Sequence, residues 1–178
     1  MNDDYIIHSG VIGMRWGVRN GPPYPLRTDV NAPGKLLNEL KSFRYKEFDA
    51  LQSPGRTKKT KAGSCHDQVF YEYTVLRGKG FSPKVKFLIE GDDDNNFGAT
   101  HSFVYYKQNG KVSWLENAWG GQEGIRSYSS EDDMMRDVYR RWGKNSTYPN
   151  VYSGNVNPDK WSAGMSLQEV VDTVDWEE

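Results

Sequence analysis

The chain reads as an α+β protein in which a helix bearing the cysteine packs on an antiparallel sheet. Three observations predict this. The single cysteine stands in Ala62-Gly63-Ser64-Cys65-His66-Asp67-Gln68-Val69 and opens a helical apolar period, Val69, Tyr73 and Leu76, that stops at Gly78. Two aromatic and β-branched runs, Ser102 to Lys107 and Lys111 to Leu115, are joined by Asn109-Gly110, the residue pair preferred in a two-residue type I′ hairpin. Ser129 or Ser130 followed by Glu131, Asp132 and Asp133 marks a second helix start, with acids placed to favour the positive end of the helix dipole.

The remaining elements follow in chain order. Residues 1–33 form an extended arm, because Gly10, Gly13, Gly17 and Gly21 and then Pro22, Pro23, Pro25 and Pro33 interrupt any long helix or strand. Residues 34–178 make up the folded domain. Leu36, Leu37, Leu40, Phe43, Phe48 and Leu51 predict a helix over Lys35 to Leu51, stopped by Ser53-Pro54-Gly55. Arg56 to Lys61 reads as a polar, basic loop leading to the cysteine. Val85 to Glu90 is a strand, Gly91 to Phe97 an acidic loop, and the acid-led helix ends near Trp142-Gly143. Residues 144–165 read as loop, and Ser166-Leu167-Gln168-Glu169 is a capping box opening a short last helix.

Composition narrows the function. At 178 residues with a formal net charge of −1, the chain is long enough for a real core and carries no general electrostatic attraction for nucleic acid. Its 11 Tyr, 7 Phe and 6 Trp argue against wholesale disorder. A lone cysteine excludes an intramolecular disulfide framework and suits a reducing compartment. No run approaches the roughly 20 apolar residues that span a bilayer, and no basic-then-apolar N-terminus predicts a secretory signal.

The chemistry-bearing residues come in the order thiol, imidazole, acid or amide. Cys65 is followed by His101 in Thr100-His101-Ser102-Phe103, and then by Glu116 and Asn117 in Trp114-Leu115-Glu116-Asn117-Ala118-Trp119. A thiol becomes a strong nucleophile when a base takes its proton, and the base works best when a third group orients it. A cysteine at a helix N-terminus also feels the positive end of the dipole, and the unpaired first-turn N–H groups can receive a developing oxyanion. Hairpin geometry ranks the third partner. With Gln108 paired to Lys111, Phe103 lies opposite Glu116, so His101 and Glu116 are diagonal neighbours on one face, about 7–8 Å apart at Cα. Asn117 faces the other side. Glu116 is therefore preferred, and Asn117 is the alternative that a one-residue register slip would select. Gln68, one turn beyond Cys65, is a candidate oxyanion donor or supporting residue, and Trp114 and Trp119 are candidates to line a substrate cleft or to fill the core.

Gly63-Ser64-Cys65-His66-Asp67-Gln68-Val69, with Thr100 to Tyr106 and Trp114 to Trp119, resembles the transglutaminase-like branch of the papain-like cysteine enzymes over about residues 60–142. The resemblance implies Cys65 as nucleophile, His101 as base and Glu116 in place of the usual aspartate. The nearest likeness is to small bacterial and phage members with a Cys-Trp-Asp-Gln motif; here His66 stands where their Trp would be. A second stretch, His8-Ser9-Gly10-Val11-Ile12-Gly13-Met14-Arg15-Trp16-Gly17-Val18-Arg19, resembles a short motif of tailed-phage structural and head-associated proteins. It implies a phage or prophage setting, in the bacterial host cytoplasm or the virion, with residues 6–26 meeting a capsid or head protein.

The expected function is thus thiol-dependent acyl transfer on a protein or peptide amide, of peptidase, deamidase or transglutaminase type, needing no cofactor. The rival is an inactive virion or head-assembly protein that uses the fold and arm for binding. A metal site at His66, Asp67 and His101 is disfavoured, because adjacent helical residues diverge and no second cysteine or His-x₃-His spacing supports it. Asp92-Asp93-Asp94-Asn95-Asn96 lacks the spacing of a calcium loop and reads as a solvated turn.

Overall fold

A computed structural model describes residues 28–177 of the chain. The His8 to Arg19 motif, and the segment 6–26 expected to meet a partner, lie outside those residues.

The arm gives way to structure earlier than its prolines suggest. Ala32 and Pro33 are buried in the first turn of α1 (Ala32–Leu40), where a proline lacks no hydrogen bond that a helix would use. The expected helix to Leu51 ends at Leu40. Beyond it the chain extends into β1 (Arg44–Tyr45), which pairs in parallel with β2 (Ala62–Gly63). Phe43 leaves the helical face to stack on Tyr71 at 5.7 Å, so the apolar period continued while the helix did not. Ser53-Pro54 starts a helix instead of stopping one. Ser53 Oγ accepts the Arg56 N–H, Pro54 takes the first turn, and the supposed basic loop becomes α2 (Pro54–Thr60).

The cysteine helix, α3 (Cys65–Gly78), has the extent its sequence predicts. Val69 and Leu76 are buried against the sheet, and Tyr73 is half-buried. The sheet has six strands: β3 (Lys84–Gly91), β4 (Phe97–Gln108), β5 (Lys111–Glu116), β6 (Gly124–Tyr128), β7 (Asn150–Val156) and β8 (Val174–Trp176). Their spatial order is β6-β5-β4-β3-β7-β8, and every neighbouring pair is antiparallel. In the central hairpin Asn109 and Gly110 have φ of 52° and 73°, the two left-handed positions of a type I′ turn. Pairing runs from Gln108–Lys111 to Val104–Leu115 in the expected register.

Each face of the sheet has its own core. Leu36, Leu40, Val69, Leu76, Phe87 and Val104 join α1 and α3 to one face. Leu88, Phe103, Trp114, Met134 and Val138 join the other to α4 (Glu131–Trp142), whose Ser130 cap and acidic first turn match expectation. Buried Lys86 crosses the second face to pair with Glu131 at 3.2 Å and with Glu177, tying β3 to α4 and the chain's end.

The stretch 144–165 is not all loop, since it supplies β7, which pairs with β3 along its whole length. Asn150, Gly154 and Asn155 weaken its local strand signal, and pairing with a buried central strand overrides it. A 3₁₀ turn, Pro158–Lys160, follows, and α5 (Leu167–Val171) opens with both halves of the expected capping box. Asp92 folds the acidic loop on itself by accepting the N–H groups of Asp94 and Asn96. Among the described residues no helix is long and apolar enough to cross a membrane.

Candidate active site

The end of β2 and the start of α3 form one rigid corner around Asp67. Ser64 caps α3 by accepting the Asp67 N–H, and the Asp67 carboxylate accepts the Ser64 N–H at 2.9 Å and the Gln52 N–H at 2.7 Å. Gly63 is required beside it, because a Cβ there would stand 2.6 Å from the Asp67 Cβ. Asp67 is 1% exposed, so truncating it would strip the acceptor from the buried Gln52 N–H and from the partly buried Ser64 N–H at once. Asp67→Ala is expected to lower unfolding free energy by about 2–4 kcal/mol, measured by urea titration.

That corner delivers Cys65 to the first turn of α3, where the N–H groups of Cys65 and His66 have no intrahelical acceptor. β4–β5 pairing ends at Val104–Leu115, and beyond it the strands part. Through this opening the thiol from one face meets His101, whose neighbours Phe103, Trp119 and Trp142 belong to the other. His101 Nε2 donates to Glu116 Oε2 at 2.8 Å, both side chains being buried. Glu116 Oε1 accepts the N–H groups of Ala118 and Trp119, each at 2.9 Å, which holds the carboxylate in place.

Electrostatics favour a charge-separated pair. Burial pushes the Cys65 thiol up, but His66 and His101 more than offset it and bring it down to about 5. Burial pushes the His101 imidazole down, yet the Glu116 carboxylate and the Cys65 sulfur raise it to about 10. Between those limits thiolate faces imidazolium. With Nε2 bound to Glu116, Nδ1 is the nitrogen left to serve the sulfur.

The other candidates divide. Asn117 Nδ2 donates to Leu40 O and to Gln68 Oε1, and Gln68 Nε2 donates to Gly63 O. Both therefore brace the base of α3, and neither reaches the cleft, so Gln68 is not positioned as an oxyanion donor. Trp119 lines a cleft of about 450 Å³ together with Tyr45, Cys65, Thr100, His101 and Trp142. Trp114 does not line it, because mid-strand β5 turns it into the core beneath α4 against Phe103.

Two participants had little signal in the sequence. His66 is 8% exposed, stacks on Phe87 at 5.3 Å, and has Nδ1 2.8 Å from Ser102 Oγ and Nε2 3.4 Å from Thr100 Oγ1. Its nitrogens meet hydroxyls from alternate β4 residues, and it stands as a second imidazole beside the thiol. His66→Phe should shift the midpoint of Cys65 alkylation upward from about 5, read as iodoacetamide rate against pH. Glu72, two turns along α3, is 2% exposed. Burial raises its carboxyl well above the ordinary range, Glu116 and Cys65 raise it further, and His101 only partly opposes them. The folded state thus keeps a proton that the unfolded chain releases, so this residue costs stability as pH climbs above the usual carboxylate range. Glu72→Gln should gain on wild type in thermal unfolding as pH rises from about 4 to about 8.

No protein-family model matches the chain, and no curated protein matches it.

Proposed function

We propose that the protein is a cysteine enzyme of the papain-like, transglutaminase-like kind that transfers acyl groups from an amide. The observation carrying this reading is the buried array of Cys65, His101 and Glu116 opening on a cleft. The Cys65 thiolate attacks the amide carbonyl carbon, and the oxyanion that forms lies against the free N–H groups of the first turn of α3. His101 Nδ1 gives its proton to the departing nitrogen as the carbon–nitrogen bond breaks, leaving a thioester on Cys65. Water or an amine then attacks the thioester, His101 takes the incoming proton, and the thiolate leaves. Glu116 keeps Nε2 protonated and the ring oriented throughout. Peptidase, deamidase and transglutaminase outcomes share these steps and differ in the leaving group and the acceptor. The phage setting implied by the N-terminal motif belongs to the same proposal.

The test is chemical and needs no known substrate. Cys65 should react with iodoacetamide at pH 6 far faster than free cysteine, and an acyl-enzyme should be trapped from a peptide amide by mass spectrometry. A thiol that reacts at pH 6 no faster than free cysteine would sink the enzyme reading in favour of a binding protein.

A further inference from the structure

The basic residues of the chain are unevenly placed. Residues 41–61 hold seven basic side chains against two acidic ones, a net charge of +5 in a chain whose net charge is −1. All seven are exposed, and none takes part in an ion pair among the described residues. On α4, by contrast, Arg136, Arg140 and Arg141 each meet an acid three or four residues earlier.

Pairing of β1 with β2 gathers these charges from two parts of the chain. Arg44 stands opposite Ala62, and its N–H donates to Lys61 O at 2.9 Å, which brings Arg44 and Lys46 beside the end of α2 with its Lys58, Lys59 and Lys61. Lys46 lies over the Phe48 ring at 5.0 Å, which orders its stem without neutralising it. The negative end of the α2 dipole favours Lys58 and Lys59, but Arg44 and Lys46 arrive from a separate strand. Like charges held together without counter-ions repel one another, and the face they make attracts an anionic partner.

The face meets the cleft through β1. Tyr45, between Arg44 and Lys46, lines the cleft with Cys65, and strand alternation sets it on the opposite side of β1 from its basic neighbours. β1 pairs with β2 and with no other strand among the described residues, so its second edge is open to an added strand. A polypeptide added there turns alternate side chains toward Tyr45 and the cleft, and the others toward Arg44 and Lys46. A nucleic acid has no backbone that pairs with a strand edge.

We propose that this basic face docks the substrate, an acidic polypeptide segment that pairs along β1 and leads the amide to Cys65. The substrate role rests on the acyl-transfer reading above.

The test is fluorescence anisotropy on the full chain with three labelled probes: a twelve-residue peptide of alternating Gly and Glu, its Gly and Ser counterpart, and a twelve-nucleotide oligothymidylate. The acidic peptide should bind roughly tenfold or more tighter than the neutral one, and a rise in salt from about 50 to about 300 mM should remove most of that advantage. Arg44→Glu with Lys46→Glu, and Lys58→Glu with Lys59→Glu, should each abolish it. Lys107→Glu with Lys111→Glu, the same charge change on the central hairpin, should leave it intact. The bound acidic peptide should also slow alkylation of Cys65 by iodoacetamide several-fold. Equal affinity for the two peptides, or an advantage that survives both paired variants of the face, overturns the proposal. Oligothymidylate binding as tightly as the acidic peptide would assign the face to nucleic acid, and binding that leaves Cys65 unprotected would separate the face from the cleft; either overturns it. A thiol that iodoacetamide alkylates no faster than free cysteine refutes the acyl-transfer reading instead, and with it the substrate role of the face.

Discussion

His101→Ala is expected to slow alkylation of Cys65 at pH 6 by roughly tenfold to a hundredfold, because most of the thiol would then stay protonated. In the intact protein the thiol sits near 5 and the imidazole near 10, so the thiolate–imidazolium pair persists across the interval between them. Alkylation should therefore rise near pH 5 and stay level through neutrality. Acyl transfer should follow a bell, losing its acid limb as Cys65 is protonated and its alkaline limb as His101 is deprotonated. Without His101 the positive charge beside the sulfur disappears, while burial still favours the neutral thiol. His66 remains and keeps the midpoint from returning fully to that of a free thiol. Iodoacetamide rates from pH 4 to pH 9 on both proteins decide it; overlapping curves would remove His101 from the proposed mechanism.

Glu116→Gln is expected to lower acyl transfer by roughly 10²–10⁴-fold while leaving the fold intact. The amide can still meet His101 Nε2 and the N–H groups of Ala118 and Trp119, so geometry survives and charge does not. Burial alone depresses the His101 imidazole, and the Glu116 charge is the largest influence raising it. Once that charge is gone, the pair collapses toward neutral thiol and neutral imidazole, and the alkylation midpoint moves up. Glu116→Ala adds a structural loss, because the two partly buried N–H groups of Ala118 and Trp119 lose their acceptor, at up to about 1–3 kcal/mol for each one that water does not reach. The two substitutions thus separate charge from scaffolding. A Gln variant with unchanged rate and unchanged pH midpoint would show that His101 needs no carboxylate.

Much of the site was legible because it is built from local rules. Turn chemistry at Asn109-Gly110 determines strand register, and register determines which side chains share a face, so Glu116 could be preferred over Asn117 by counting. The capped start of α3 was equally readable, since Ser64 and Asp67 are three residues apart. Legibility failed where a local signal served a different tertiary end. Phe43 keeps a helical period yet stacks on Tyr71 from an irregular segment. Ser53-Pro54 suits either side of a helix boundary, and only the course of the chain into α2 shows which.

The sequence by itself determined the helix that carries the thiol, the hairpin that carries the base and acid, and the spacing that puts these last two on one face. Those are consequences of periods of 3.6 and 2 and of a two-residue turn, and all act within a few residues. Tertiary structure alone decided that β7 completes the sheet, that Trp119 lines the cleft while Trp114 fills the core, and that His66 stands on Phe87 under two β4 hydroxyls. It also decided that Glu72 is buried. These outcomes depend on which distant segment covers a surface and excludes water from it, and burial of that kind is not written in any single stretch of chain.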